Sequence, residues 1–231
     1  RSTDPIGRAG AAFLDALRAA DTDGTVVDPG VSTSLGQAVG QTALAEVTSQ
    51  PVRVLIPQLL LPSDNTLSEM LARIVSKESG MNGSASSLQQ AIPSALGHYG
   101  VSPTGIAIRD GSGLSDLNAV PAATMTAFMR QVRDGEADLA VVRDGLPVAG
   151  RSGTLAGRFT GDNAVARGSV VAKTGWIDSS YSLSGFLTAA DGTPLTFTFY
   201  AYGPGIAGDA RAALDTLTTA AFHCGDNLSN N

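Results

Sequence analysis

The chain has 231 residues, of which 43% are hydrophobic and 16% are charged, a composition typical of one globular domain or of a domain with part of a second. Its formal net charge is −6, from 15 basic and 21 acidic residues. That balance argues against nucleic acid as a partner, because nucleic-acid affinity depends on basic residues that neutralise phosphates. The single cysteine, Cys224, excludes a disulfide or a cysteine-based zinc site within the chain, and its thiol is either free or paired outside this sequence.

The N-terminal quarter predicts one helix followed by mostly irregular chain. Asp4 and Pro5 are typical of a helix N-cap and first turn, and apolar residues on one helical face continue the pattern to Leu17. Shorter predicted elements follow, and they are a strand at 25–28, a Gly/Ser/Thr-rich loop at 31–41 and a strand at 44–49.

Apolar residues at helical spacing dominate the middle of the chain. They predict helices at 51–61, 66–77, 84–96 and 120–132, the first of them short and buried. A strand at 106–108 is predicted to lead into a glycine turn at 110–113.

The C-terminal third changes to short β-branched runs. The predicted elements are strands at 168–173, 181–187 and 195–201, a hairpin turn at Asp191-Gly192 and a helix at 207–222. Strands beside a terminal helix, after a helix-rich middle, predict an α+β fold in which a helical lobe packs against an antiparallel sheet.

Two three-residue strings carry the candidate chemistry: Ser63-Asp64-Asn65 at the start of a predicted helix, and Lys173-Thr174-Gly175 at the end of a predicted strand. Each string alone is weak evidence, since Ser63 is also typical of a helix N-cap and Lys173 of a solvated strand end. Together, and in these contexts, they match the second and third motifs of serine β-lactamases and penicillin-binding proteins. We therefore expect the two segments to meet across one cleft.

Longer blocks of sequence extend this match over most of the chain. They are residues 50–70 around Ser63, RDGSGLSDLN at 109–118, GRSGTLAGRF at 150–159, and VVAKTGW with the hairpin that follows it. In this order the blocks resemble the C-terminal part of penicillin-binding protein 4-type D-alanyl-D-alanine carboxypeptidase/endopeptidases. The resemblance implies the serine β-lactamase/penicillin-binding-protein-like transpeptidase fold. It also implies that residues 1–43 end a preceding or inserted region and that residues 44–231 are the C-terminal part of the catalytic domain.

The resemblance implies transfer of an acyl group from a peptide to a serine and then to water. In that scheme Ser63 relays a proton to the departing amine, which is a general acid/base task. The amide of Asn65 holds the substrate's backbone carbonyl. Lys173 supplies positive charge near a substrate carboxylate.

Substrate-binding roles are implied for four residues, three of them consecutive. Thr174 supplies a hydroxyl to the carboxylate, and Gly175 lets a peptide lie against the strand edge. The backbone N–H of Trp176 is one of two oxyanion-hole donors, and its side chain, where many members have threonine, is expected to narrow or cap the site. Asp116 stands where the family usually has an arginine after the DGSGLS block, which predicts a subsite for a less anionic or amidated side chain.

The nucleophile motif of the family, Ser-x-x-Lys, is absent from this sequence. The two lysines are Lys77 and Lys173, and the residues three positions before them are Ile74 and Val170. In the family this motif lies far N-terminal, so we expect the nucleophile in a segment missing from this chain. No metal or cofactor is expected, because two histidines and one cysteine provide no ligand cluster.

The implied partners are a peptidoglycan stem peptide ending in D-Ala-D-Ala, β-lactam antibiotics and the missing N-terminal segment, and the implied location is the cell envelope, periplasmic or secreted. Two alternatives stay open. A class A-like β-lactamase shares the motif order but needs a glutamate between the two motifs, and the chain has none between Glu78 and Glu136. A catalytically inactive peptidoglycan-binding module would account for the missing nucleophile.

Overall fold

The structure is a computed structural model that describes residues 4–24, 30, 32–34, 36, 42–43, 45–135, 137–206 and 208–228. The chain divides into two compact units, 1–49 and 50–231. This division falls at residue 49, and the boundary that the family resemblance implied lies at residue 43. Every residue of the candidate site belongs to the second unit.

Among its described residues, the first unit contains one helix, α1, at Pro5–Ala20. The Asp4 carboxylate accepts a hydrogen bond of 2.9 Å from the N–H of Gly7, which confirms the predicted N-cap. The predicted strand at 44–49 is wrong, since residues 45–49 form no strand. Alternation of apolar and polar residues favours a strand only where a partner strand pairs with it. The predicted strand at 25–28 lies outside the described residues, as does most of the loop at 31–41.

The second unit contains the predicted helices and some short ones that the pattern missed. The α-helices are α2 at Val52–Leu60, α3 at Asn65–Glu78, α4 at Leu88–Gly97, α5 at Ala122–Asp134, α6 at Ala140–Gly145 and α7 at Asp209–Cys224. The 3₁₀ helices are Ala85–Ser87, Ala137–Leu139, Gly153–Leu155, Gly161–Ala166 and Gly225–Leu228. The prediction that α2 is buried is wrong, because none of its residues is fully buried. No described helix is long and apolar enough to cross a membrane.

Three strands form one antiparallel sheet in the order β1-β2-β3. They are β1 at Val170–Ile177, β2 at Ser180–Thr188 and β3 at Pro194–Tyr202. Asp191 and Gly192 make the predicted turn between β2 and β3, with Gly192 at a φ of 90°. β1 runs four residues further than predicted, so the Lys-Thr-Gly string lies inside the strand and not at its end. The α+β fold class is confirmed.

Helices pack on both faces of this sheet because alternate strand residues point to opposite sides. Val170, Ala172 and Leu183 belong to a buried cluster that includes Leu214 of α7. The intervening Val171 packs against a second cluster, built from α5 and the segment at 139–146. Lys173 has the parity of Val171, so its side chain leaves the sheet on the α5 side.

Candidate active site

Ser63 and Lys173, 110 residues apart in the chain, are in direct contact. The Lys173 Nζ donates a hydrogen bond of 2.6 Å to the Ser63 Oγ and one of 2.8 Å to the backbone carbonyl of Thr174. The structure therefore joins the two motifs in one site, at the place where the α2–α3 turn meets β1. This is the juxtaposition that the sequence pattern predicts.

Ser63 lies in a constrained turn between α2 and α3. Its φ is 58°, in the left-handed region that side chains other than glycine rarely adopt. The turn is closed by the N–H of Asp64, which donates to the carbonyl of Leu59 at 2.9 Å. The N-cap of α3 is Asp64, whose carboxylate accepts from the N–H of Leu67 at 2.8 Å. The alternative in which Ser63 serves as the cap is thus wrong, and its hydroxyl is directed to Lys173.

Asn65 is the first residue of α3 and is half-buried. Its position follows the cap directly, so its side chain leaves the helix at the same end that carries Ser63. The role predicted for the Asn65 amide, which is to hold the substrate's backbone carbonyl, depends on a bound ligand and stays a prediction.

Lys173 is half-buried, and this changes its chemistry. Loss of hydration disfavours the ammonium form, so burial lowers the pKa of Lys173 to about 8 from the ordinary 10.5. At pH 7 about nine lysines in ten would still carry a proton at this pKa. Lys173 is therefore a cation at neutral pH that loses its charge under mildly alkaline conditions.

The edge of β1 that faces away from β2 is hydrogen-bonded to the segment at 147–149 along its first half. Its second half presents backbone N–H and C=O groups. Ala149 donates to the carbonyl of Val170 at 2.9 Å, and Ala172 donates to the carbonyl of Pro147 at 3.0 Å. In an antiparallel strand, alternate residues direct both backbone groups to the same edge. The N–H and C=O of Thr174 and Trp176 therefore point away from β2, toward the edge where an extended peptide can pair.

Gly175 is enclosed on the sheet surface. It pairs with Ser182 of β2, and a Cβ at Gly175 would overlap the Ser182 hydroxyl oxygen. The structure thus gives a cross-strand reason for glycine here, in addition to the proposed approach of a ligand to the strand edge.

The loop at 150–155 connects the Ser63 turn to β1. The Thr154 Oγ1 lies 2.8 Å from the Thr174 Oγ1, and the N–H of Thr154 donates to the carbonyl of Leu61 at 3.1 Å. Gly153 has a φ of 55°, and a Cβ there would lie 2.7 Å from the Leu61 carbonyl oxygen. Sequence reasoning included this loop in a family block but missed Thr154 as a site residue, although the Gly-Thr pair was visible in that block.

Asp116 lies next to the turn that follows β1. Its carboxylate accepts a hydrogen bond of 3.0 Å from the hydroxyl of Ser179. The loop that carries Asp116 is fixed on α3 by Glu69, whose Oε1 accepts from the N–H groups of Gly111 and Ser112 at 3.0 Å each and from the Ser112 hydroxyl at 2.8 Å. Glu69 is a second residue whose part in the site architecture was missed, because its spacing along α3 carries no signal of a loop 42 residues away.

Trp176 is 65% exposed and stacks on Tyr181, with ring centroids 6.1 Å apart and planes inclined by 22°. Its ring shares the sheet face of Thr174, the α7 face. It is thus held beside the strand edge and not over the Lys173 side of the sheet. No group of three or more potential metal ligands occurs among the described residues.

Comparisons with known proteins identify the family of this chain. The family model described as "D-Ala-D-Ala carboxypeptidase 3 (S13) family" matches residues 1–221. This chain belongs to the S13 family. The family membership that the sequence blocks suggested is therefore confirmed.

Individual members of known function and structure are similar to this chain over most of its length. Carboxypeptidase DacB from Mycolicibacterium smegmatis is 32% identical over 228 residues, which are 97% of this chain and 48% of the relative. D-alanyl-D-alanine carboxypeptidase from Actinomadura sp. is 33% identical over 199 residues, 82% of this chain and 35% of the relative. A crystal structure of penicillin binding protein 4 from Haemophilus influenzae, complexed with a β-lactam, matches with a TM-score of 0.66 and 27% identity, covering 76% of this chain and 42% of that one. The chain spans about half or less of the length of these relatives.

Proposed function

We propose that this chain is the C-terminal part of the catalytic domain of a serine D-Ala-D-Ala carboxypeptidase/endopeptidase that acts on peptidoglycan stem peptides. The observation that carries the proposal is the 2.6 Å hydrogen bond from the Lys173 Nζ to the Ser63 Oγ. It joins a hydroxyl able to relay a proton with a cation able to hold an anionic ligand. Since peptidoglycan is the substrate, the protein acts in the cell envelope, periplasmic or secreted.

The proposed reaction passes through an acyl-enzyme. A serine hydroxyl from another segment attacks the carbonyl carbon of the penultimate D-Ala, and the C–N bond to the terminal residue breaks. Ser63 relays the proton lost by the attacking serine to the departing amine, with its hydroxyl oriented by Lys173. Water then hydrolyses the ester and releases the shortened peptide. A β-lactam stops at the ester stage, and the β-lactam complex of the Haemophilus influenzae relative supports this part of the proposal.

The substrate is proposed to lie along the open edge of β1. Its terminal carboxylate binds the Lys173 ammonium and the Thr174 hydroxyl, both of which can donate to an oxygen anion. The N–H of Trp176 points to the same edge and serves as one oxyanion donor, a contribution worth about 3 kcal/mol in enzymes where such a donor has been removed. Asn65 supplies the amide that holds the peptide carbonyl.

A Ser-x-x-Lys segment outside this chain is proposed to complete the site. Large apolar side chains on the outer faces of α2 and α3 support this, since Val52 is 57%, Met70 54% and Ile74 46% exposed. Among the residues that the structure describes, no strand pairs with the outer edge of β3. A cavity of about 320 Å³ opens along that strand, lined by Leu195, Phe197 and seven other residues from β2, β3, α5, α7 and the C-terminal 3₁₀ helix. These surfaces are suited to helices and strands of the same protein.

The proposed activity is tested on the complete gene-encoded protein. Stable labelling by a fluorescent penicillin, together with release of D-Ala from a stem pentapeptide, is the expected result. Rapid turnover of the penicillin would establish a β-lactamase instead, and absence of both reactions would establish an inactive module. Lys173→Ala should slow acylation strongly without loss of fold, whereas Lys77→Ala, at the exposed lysine of α3, is the matched control and should react normally.

Asp116 is proposed to set the preference for the stem-peptide side chain. A carboxylate beside the turn after β1 repels a second carboxylate and attracts an ammonium group. We expect the complete protein to cleave a peptide with an amidated diaminopimelate side chain faster than the free acid, and Asp116→Arg to reverse this order. An unchanged ratio of the two rates in Asp116→Arg would remove Asp116 from the side-chain subsite.

A further inference from the structure

Thr154 stands out among the polar groups near β1 because it contacts both halves of the candidate site. Its hydroxyl meets that of Thr174 at 2.8 Å, and its N–H donates to the carbonyl of Leu61, two residues before Ser63. The two anchoring points belong to segments more than 100 residues apart. No role for Thr154 follows from the Ser-Asp-Asn or Lys-Thr-Gly motifs.

The chemistry of two adjacent hydroxyls decides how the pair works once an anion is bound. A hydroxyl has one proton to donate and two lone pairs that accept, and a carboxylate only accepts. If Thr174 donates its single proton to a carboxylate, then its oxygen must accept in the bond with Thr154. The direction of the Thr154–Thr174 bond is thereby fixed, with Thr154 as donor. A donated hydrogen bond also polarises the acceptor's own O–H and strengthens the next bond in the chain.

The backbone of the loop holds Thr154 in place for this task. Gly153 adopts a φ of 55° where a Cβ would come within 2.7 Å of the Leu61 carbonyl oxygen, so the loop approaches the Ser63 turn as closely as glycine allows. The hydroxyl of Ser152 accepts from the N–H of Val148 at 3.0 Å, which closes the base of the loop. The Thr154 hydroxyl is thus presented from a fixed backbone and not from a long flexible side chain.

We infer that Thr154 is a positioning residue for the substrate's terminal carboxylate: its hydroxyl donates to the Thr174 Oγ1 and aligns the Thr174 proton on the carboxylate. The inference rests on the proposed function and deepens it. It makes recognition of the free C-terminus depend on two threonines from different segments. The loop at 150–155 is therefore part of the specificity for a terminal carboxylate over a terminal amide.

The test uses the complete gene-encoded protein with Thr154→Val, which keeps the shape and removes the hydroxyl, and Thr154→Ser, which restores the hydroxyl. For a peptide ending in D-Ala-D-Ala, kcat/KM should fall about tenfold in Thr154→Val, the loss typical of one hydrogen bond in a path to a charged group. It should return to within about twofold of wild type in Thr154→Ser. For the same peptide with a terminal amide, Thr154→Val should change the rate by less than about twofold. Thr160→Val is the matched control, because Thr160 is exposed on the neighbouring loop and its side chain forms no capping hydrogen bond.

A double variant separates a positioning role from an independent one. If Thr154 acts through Thr174, Thr154→Val should have no further effect in a Thr174→Val background, since coupled residues are non-additive. Multiplicative losses in the double variant, or equal losses on the acid and the amide, would overturn the inference while leaving the carboxypeptidase activity established. A wild-type protein that neither releases D-Ala nor reacts with penicillin would overturn the proposed function and this inference with it.

Discussion

Substitution of Lys173 by arginine should remove an alkaline limb from the pH profile of acylation. Burial lowers the pKa of Lys173 to about 8, and the second-order rate constant of acylation reports the pKa values of the free protein. If the ammonium form binds the ligand carboxylate, the protonated fraction falls from about nine-tenths at pH 7 to about one-tenth at pH 9, a roughly tenfold loss of rate. With the ordinary pKa of 10.5, the loss over this interval would be less than about 5%. Arginine stays charged throughout, so Lys173→Arg should have a flat profile above pH 8 even if its absolute rate is lower.

The assay is stopped-time labelling of the complete protein with a fluorescent penicillin at limiting concentration between pH 6 and pH 10. Matched samples incubated without protein correct for spontaneous hydrolysis of the β-lactam. A limb near pH 8 that persists unchanged in Lys173→Arg would belong to another group and would refute the reasoning. A wild-type profile flat to pH 9 would show that Lys173 is hydrated in the complete protein.

The same lowered pKa has a consequence for stability with a definite sign. The folded state disfavours the protonated lysine, so the unfolded chain binds more protons between pH 8 and pH 10.5. The destabilising effect is fully present below pH 8 and disappears as the pH rises to 10.5. From the shift, the free energy of unfolding should rise by up to about 3 kcal/mol over that window relative to Lys173→Met. A constant difference between the two proteins across the window would contradict the burial of the ammonium group.

Two further predictions concern the packing that supports the site. Asp215→Ala should lower the free energy of unfolding by about 3–5 kcal/mol, because it leaves the buried guanidinium of Arg158 without its carboxylate at 2.7 Å, whereas Asp144→Ala at an exposed ion pair should cost less than about 1 kcal/mol. Equal effects in chemical denaturation would contradict this assignment. Gly185→Ala should destabilise by about 1–3 kcal/mol or more, because a Cβ would overlap the backbone of β1, while Gly157→Ala has open space and should be nearly neutral in the same measurement.

The fold could be predicted from local sequence where local chemistry alone decides it. The β-branched run before Lys173 and the Asp191-Gly192 turn predicted the sheet, because strand and turn preferences act within a few residues. The prediction of a strand at 44–49 was wrong because an alternating pattern forms a strand only where a partner strand pairs with it, and that depends on residues elsewhere in the chain. The expected burial of α2 was wrong as well: its apolar residues face outward at Val52, where we propose that another segment of the protein packs.

The candidate site was predictable in its motifs but not in its supporting contacts. Ser63 and Lys173 were identified because two short strings fell in the right structural settings, and their contact was expected. The sequence also allowed Ser63 as the N-cap of α3, whereas the cap is Asp64. Serine and aspartate are almost equally favoured caps, so the sequence does not distinguish them. Thr154 and Glu69 were missed because their contacts depend on tertiary packing between segments far apart in sequence. Only the folded chain brings Leu61 and Thr154 together.

The local energetics of the two motifs bear on the choice between an enzyme and an inactive binding module. Ser63 adopts a left-handed backbone conformation that costs on the order of 1 kcal/mol for a residue with a side chain. Lys173 is buried at a position where its ammonium form is disfavoured. Glycine in place of Ser63 and an apolar residue in place of Lys173 would fold at a lower cost in free energy. Fold stability alone therefore does not account for either residue. The 2.6 Å hydrogen bond from Lys173 orients the Ser63 hydroxyl, and a positioned hydroxyl is suited to passing a proton to a departing amine. Binding to peptidoglycan without catalysis needs the lysine for charge but gives no reason for the strained serine hydroxyl beside it, and we therefore favour the enzyme.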